Sequence, residues 1–503
     1  MGGFVQGSRG LFFLLLSSLL FTISCQNSGD NKASSSLDET IILKVSKENF
    51  INGKKFCELY VNNAEKLSKE SGVWLNVPKN YNQPNETTPL YVYTRKPFNP
   101  QLPTYIYLDG GPGQNTHQFE DYIAEGFNQI NFDQRGVGCS TPNTWEEYSD
   151  HNIYSSKNTV RDMEEIRKHF GIEKWSVYGV SYGTIPATMY ASAYASRTRS
   201  LILEGVVGSV EKLSRFDYLS EKWNLVIKSL NSKQKEAFDS IILSEKDKKA
   251  NLIMQYFAMA GYRDAGFRNL KEKILFKLFP VEGGFNEDFY NELSNRYNSK
   301  RNRFTTPQQP GAVDDNILSI FYCKEFNAFD KDKYTLDYDS SLGFIERPTS
   351  SRTYWKDECA KHGISEKNQD EYDESKYSVY SNVYYLQGSH DGATVAAGAW
   401  NHWKSVPKRS VFFMLSLKGG HNPGLTKLNS EHDEIKKSHK ELYIKAINAE
   451  PINNEFVNEL NTTVYKYEKN ENLKTVTWEL FLKIPKDFSS IQGELDGIKK
   501  ITR

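Results

Sequence analysis

Cysteine is scarce in this chain, five in 503 residues, and no two stand in a CxxC spacing, so a zinc or thioredoxin-like site has little to build on. Nor is charge of one sign in excess. Lys plus Arg and Asp plus Glu number 63 each, and no long block of one sign occurs, which leaves no electrostatic footprint for nucleic acid. The apolar run Leu11 to Phe21, broken only by Ser17 and Ser18, is too short to span a bilayer comfortably. What the chain does have is Tyr and Phe, 30 and 29 of them, beside an ordinary charged share of 25%, the composition of a globular body able to bury a core. Its length suits one catalytic domain with insertions and a tail.

The apolar run follows Arg9 and has the dimensions of a signal-peptide core, so residues 1–24 read as an export signal. Thr22, Ile23, Ser24 and Cys25 follow, then a polar stretch rich in Ser, Asn, Gly and Asp. This resembles a bacterial lipoprotein signal, which implies lipidation of Cys25 and a flexible tether over 25–45. Thr22 stands where such signals usually carry Leu, which keeps plain cleavage and secretion as the alternative. Either way the expected location is the cell envelope or beyond, and membrane contact is expected only through the lipid. Four further cysteines could form two disulfides in an oxidising compartment. Cys323 and Cys359 fall in one inserted region and are the first choice of pair, leaving Cys57 with Cys139 by elimination.

From residue 46 onward short apolar strands alternate with helical patterns, as in a mostly parallel sheet flanked by helices. The strand candidates are 105–108, 130–133, 175–178, 201–207, 383–386 and 411–417. Val160, Met163, Ile166 and Phe170 recur at helical spacing, and Gly171 is a fitting stop. In such sheets ligands bind beyond the carboxyl ends of the strands.

Four strand ends carry chemistry. After 175–178 comes Gly179-Val180-Ser181-Tyr182-Gly183, the G-x-S-x-G pattern, followed by a helix-compatible run from Thr184 to Ala195. In that strand-turn-helix context the serine is raised on a sharp turn as a nucleophile, and glycines on either side allow close backbone approach. After 105–108 comes Asp109-Gly110-Gly111-Pro112-Gly113, a loop suited to donate a backbone N–H to a developing oxyanion. Gly111 is the chosen donor, Gly110 the near alternative, and Tyr182 N–H the second donor. After 383–386, Gln387-Gly388-Ser389-His390-Asp391 supplies an acid, and after 411–417, Lys418-Gly419-Gly420-His421 supplies a base. Ser181, Asp391 and His421 then follow the chain order Ser, acid, His, whereas His390 precedes the acid and would break it.

Gly110 to Gly113, Asp133-Gln134-Arg135-Gly136-Val137-Gly138-Cys139-Ser140 and Gly179 to Gly183 together resemble the prolyl aminopeptidase and tripeptidyl aminopeptidase family of α/β hydrolases. The resemblance implies an α/β-hydrolase fold with an inserted, mostly helical cap, and a bracing role for Asp133 and Arg135. It covers the framework from Val73 to about Asn422. Val395 departs from the family's usual Pro, and Asp109 stands where relatives often carry His or Asn. A carboxylate aimed at the oxyanion would oppose its charge, so Asp109 is expected to point away and accept from backbone donors.

The core is thus expected over 46–208 and 378–450, with the helical cap over 209–377, where Phe216, Leu219, Trp223, Val226 and Leu230 repeat at helical spacing. Glu204, at a strand end, has two readings: a partner for a substrate's α-ammonium group, or a structural carboxylate holding loop N–H groups. Glu211, Asp217 and Glu221 read as solvated helix-face residues. The extension 451–503 is expected to carry a hairpin, with Val464 to Tyr467 as one arm and Val476 to Ile484 as the other. Three functions fit. A serine peptidase acting on free N-termini is preferred to an esterase or amide hydrolase with the same residues, and a non-catalytic surface lipoprotein comes last. No pattern calls for a metal or organic cofactor, and none speaks to oligomeric state.

Overall fold

In a computed structural model the chain is described over residues 42–43, 45–61, 71–117, 125–208, 229–242, 249, 253, 270–302, 313–326, 359–391, 393–394, 396–407, 410–417, 419–467 and 477–484. Cys25, the signal and almost all of the tether lie outside the described residues. So do Phe216, Leu219, Trp223, Val226, Glu211, Asp217 and Glu221 of the expected cap.

The frame is a nine-stranded sheet. Its strands are β1 (Ser71–Asn80), β2 (Gln83–Thr94), β3 (Thr104–Leu108), β4 (Asn128–Phe132), β5 (Trp175–Val180), β6 (Thr198–Glu204), β7 (Asn382–Gly388), β8 (Val411–Leu417) and β9 (Thr477–Phe481). Their spatial order is β9-β8-β7-β6-β5-β3-β4-β2-β1. β3 to β8 are mutually parallel; β1 and β2 form an antiparallel pair at one edge, and β9 runs antiparallel at the other. The six strand candidates read from sequence correspond to β3 through β8. The polar first half of β2 is exposed, which hid the β1–β2 pair from a search for apolar runs, although Val73, Leu75 and Val77 do alternate.

Both faces are covered. Ile106 and Leu108 of β3 point into a core completed by α1 (Ser156–His169) and α2 (Thr184–Ala193), through Val160, Met163, Ile166, Ile185 and Met189. α1 starts where Ser155 accepts the Asn158 N–H and ends beside Gly171, whose φ of +63° closes the last turn. Tyr105 and Tyr107 point the other way, under Leu425, Leu428, Leu442 and Ile447. These belong to α7 (Pro423–Leu428) and α8 (Asp433–Ile447), with α6 (Ala396–Ser405) preceding β8 on the first face.

Between β6 and β7 the described residues are mainly helical and include α3 (Ser232–Ile242), α4 (Glu287–Asn302) and α5 (Asp315–Glu325). Cys323 of α5 is disulfide-bonded to Cys359, with Cα atoms 5.6 Å apart, and Cys57 to Cys139, at 5.3 Å.

The expected terminal hairpin is corrected. Val464 to Tyr467 end a helix, α9 (Asn454–Tyr467), because Val457, Leu460 and Val464 make one buried stripe. The second arm is a strand, β9, but its partner is β8, in a register from Phe413 with Phe481 to Leu417 with Thr477. Residues 468–476, including Lys469 to Asn472 and Val476, lie outside the described residues.

Candidate active site

The site gathers at the carboxyl ends of β3, β5, β7 and β8. Ser181 joins β5 to a short turn and α2 with φ of +54°, a left-handed conformation that costs a non-glycine residue roughly 1–2 kcal/mol. Its neighbours hold it there. A Cβ at Gly179 would lie 2.3 Å from the Gly183 carbonyl oxygen, and one at Gly183 would lie 2.4 Å from the Leu108 carbonyl oxygen, so only glycines let the turn close on itself and on β3. Thr184 Oγ1 donates to the Ser181 carbonyl (2.6 Å) and accepts from Val207 N–H (3.0 Å), tying the turn to the segment after β6.

The glycine loop after β3 lies against this serine. A Cβ at Gly110 would stand 3.0 Å from Ser181 Cβ and 3.4 Å from its Oγ, so Gly110 is the loop residue packed on the hydroxyl. Its N–H is bonded to Asp109 Oδ1 at 2.7 Å. Gly111, with φ of +104°, begins the cis Gly111–Pro112 turn. Asp109 accepts a backbone donor as expected, and burial, above all, pushes its carboxyl up to about 7.

Beyond β7 and β8 two loops interlock. His390 N–H donates to the Gly419 carbonyl (2.9 Å) and Ser389 N–H to that of Ser416 (2.9 Å), while a Cβ at Gly388 would meet the Gly420 oxygen at 1.9 Å. This brings His421 Nδ1 to 2.9 Å from Asp391 Oδ2 and 3.1 Å from Oδ1. Asp391 is fully buried and also accepts from Ala393 N (2.8 Å), Thr394 N (2.8 Å), Thr394 Oγ1 (2.7 Å) and Gln387 Nε2 (3.1 Å). An imidazole bonded through Nδ1 to a fixed carboxylate can take a proton at Nε2 and be stabilised as a cation. Gly205, at φ of +60°, presses on the same ring: a Cβ there would lie 3.0 Å from His421 Cε1.

The substrate-binding reading of Glu204 is overturned. The residue is fully buried; Oε1 accepts from Gly424 N (2.8 Å) and Leu425 N (3.0 Å), and Oε2 from Tyr178 Oη (2.5 Å) and Tyr443 Oη (2.6 Å). Four donors occupy both oxygens and leave nothing for an ammonium group. Glu204 is the loop-holding carboxylate, and it fixes the start of α7 just after His421.

Arg135 pairs with Asp162 through Nε and Nη2, both at 2.6 Å, and donates to the carbonyls of Pro78 (2.8 Å) and Lys79 (2.9 Å). Asp133 accepts from Thr116 N (3.1 Å) and Cys139 N (2.8 Å) and contacts His117 Nε2 at 2.6 Å. Asp133 thus braces the stretch after the glycine loop, and Arg135 ties α1 to the end of β1. Ligand atoms of His117, Asp133 and Cys139 fall within 4.8 Å of one another, but the Cys139 sulfur is bonded to Cys57 and both Asp133 oxygens are engaged. That cluster is a structural brace.

Sequence reasoning passed over two cap acids. Asp314 caps α5 through Asn316 N (3.0 Å) and Ile317 N (3.2 Å), accepts from Tyr148 Oη (2.6 Å), and its own N–H donates to the Gly113 carbonyl (3.0 Å). Glu325, at the other end of α5, accepts from Ser156 N (2.7 Å) and Oγ (2.5 Å), and that hydroxyl contacts Tyr182 Oη at 2.9 Å. Asp314-Asp315-Asn316 before an apolar helix was a readable capping signal; the partner of Glu325 had none.

Residues 103–428 match the family model for the alpha/beta hydrolase fold. A "Probable proline iminopeptidase" of Streptomyces coelicolor is 32% identical over 120 residues, which is 23% of this chain and 36% of that protein. The proline iminopeptidase of Arabidopsis thaliana is 31% identical over 119 residues, 23% of this chain and 30% of that protein. The chain thus spans about a third of the curated relatives it matches. Among solved structures, a proline iminopeptidase-related protein from Thermus thermophilus is 15% identical, covering 75% of this chain and 99% of the other, with a TM-score of 0.35. With more than half its length matched, the chain belongs to the alpha/beta hydrolase fold family.

Proposed function

We propose that this protein is a serine hydrolase with Ser181 as nucleophile, His421 as base and Asp391 as the acid that orients it. The observation that carries the reading is the His421 Nδ1 to Asp391 contact, with a strained Ser181 at the same carboxyl edge of the parallel strands. In the proposed reaction Ser181 Oγ attacks the carbonyl carbon and its proton passes to His421 Nε2. The oxyanion is met by N–H groups of Tyr182 and the glycine loop, with Gly111 the chosen donor. Gly110 N–H is already taken by Asp109, which supports that choice. His421 returns the proton to the leaving amine or alcohol. Water then gives a proton to His421, attacks the acyl-enzyme, and Ser181 leaves with that proton.

The preferred substrate class is peptides with a free N-terminus. Support comes from the partial identity to proline iminopeptidases and from the three ordered motifs. A specific observation favours the second reading, an esterase or amide hydrolase for small molecules: Glu204, the one acid singled out for an α-ammonium group, is fully occupied. The leader pattern supports an exported protein anchored by lipid at Cys25.

Purified enzyme lacking the leader would be assayed on fluorogenic peptide amides with free or acetylated N-termini and on a short-chain ester, with Ser181→Ala as control. Free-amine peptides alone should be cleaved, and the mutant should be inactive. Ser181-dependent turnover of the ester alone would replace the peptidase reading with the second.

A further inference from the structure

Asp109 has no part in the reaction just described, yet it precedes and holds Gly110, the residue packed on Ser181. It is 4% exposed, at the carboxyl end of β3. Oδ1 accepts from Gly110 N–H at 2.7 Å and stands 3.4 Å from Tyr107 Oη. Oδ2 is buried with no hydrogen-bond partner, and among the described residues no Lys, Arg or His pairs with the carboxyl. An ionised carboxylate is poorly served by such surroundings, because its charge is desolvated and one oxygen is bare. A neutral carboxylic acid keeps the Oδ1 contact and carries no charge to desolvate. Gly110, held by that oxygen, is the residue packed on Ser181.

We propose that Asp109 works as a neutral acid that positions the glycine loop, and that its ionisation suppresses turnover by placing negative charge beside the developing oxyanion. This rests on the serine-hydrolase reading of Ser181. A carboxylic acid kept neutral in an apolar site is an established device for hydrogen bonding at an oxyanion. Burial pushes Asp109 to about 7, with the charge of Asp133 adding to the rise and the bonds from Gly110 and Tyr107 opposing it. The titratable groups around it are therefore Tyr107 and Asp133. Tyr178, its ring 5.2 Å from that of Tyr107, and Glu204, bonded to Tyr178, come next on the same face. Protonation of a general base sets the acid limb of such a profile, so the alkaline limb is the one that reports on Asp109.

The test is kcat/KM against pH from about 5.5 to 9.5 for wild type and Asp109→Asn, which keeps the oxygen facing Gly110 and cannot ionise, with Ser181→Ala as blank. Wild type should lose about tenfold per pH unit above an alkaline pKa near neutrality. D109N should stay within about threefold of wild type at its optimum and lack that limb. Should D109N fail to fold, D109S takes its place. An infrared pH titration gives an independent readout: the wild-type minus D109N difference spectrum, in which Asp314 and Glu325 cancel, should hold a protonated-carboxyl band that disappears near neutrality. An unchanged alkaline limb in the variant, or no such band, overturns the inference. Absence of Ser181-dependent turnover in wild type would instead sink the hydrolase reading, with the infrared titration still deciding the state of Asp109.

Discussion

At the scale of single residues, glycine decides what the acids and bases can do. His421 and Asp391, selected from two glycine-rich turns, are in hydrogen-bond contact because Gly388 lets one loop pass within van der Waals reach of the other. Gly205 does the same from the side of β6. Replacing it with alanine would strain a φ of +60° and drive a methyl group to 3.0 Å from the imidazole Cε1 and 2.7 Å from the His421 carbonyl oxygen. Displacing a base by about 1 Å costs on the order of a hundredfold. Gly205→Ala is therefore expected to lower kcat/KM by roughly ten- to a hundredfold, mostly in kcat, in a protein that still folds; unchanged kinetics would remove His421 from the account. Glu204 shows the limit of reading at this scale. A carboxylate at a strand end signals interest, but nothing in the local sequence tells that Tyr178, Tyr443 and α7 will converge on it.

At the scale of elements, α5 links the inserted region to the core. Its capping residue, Asp314, meets the glycine loop by donating its backbone N–H to the Gly113 carbonyl, and its last turn reaches Tyr182 through Ser156. Both ends carry buried carboxyls, Asp314, which caps the helix and accepts from Tyr148, and Glu325, which accepts from Ser156, each pushed by burial up to about 7. In the unfolded chain such groups titrate near 4. Between those values the folded protein holds protons that the unfolded chain has released, so the stabilisation is full below about pH 4 and is lost as pH rises through about 7. Urea midpoints should fall from pH 5.5 to 8. The double variant Asp314→Asn, Glu325→Gln should show a shallower fall; an equal slope would mean that neither acid carries the proton. The tail teaches a related lesson about elements. Val476 to Ile484 alternate as a strand should, but a strand pattern does not name its partner, and β9 pairs with a strand some 65 residues earlier, Phe413 with Phe481 being 68 apart. The nearer run, Val464 to Tyr467, belongs to a helix whose buried stripe begins at Val457.

At the scale of the whole molecule, the parallel core was legible because β3 to β8 are short apolar strands separated by helical periodicity, and because parallel strands buried on both faces leave that trace. The edge pair β1–β2 was not, since half of β2 faces solvent. The contribution of the inserted region to the site was also hidden, because it depends on α5 docking onto residues more than 160 positions away. What the fold assembles is a serine on a strained turn, a glycine loop against it, and an imidazole held by a buried carboxylate. The central claim, that Ser181 is the nucleophile of this assembly, is tested most directly by reaction with a fluorophosphonate followed by intact mass measurement and peptide mapping. The account predicts a single adduct on Ser181, absent from Ser181→Ala and formed far more slowly in His421→Ala. No adduct, or an adduct on another residue that persists in Ser181→Ala, would contradict it.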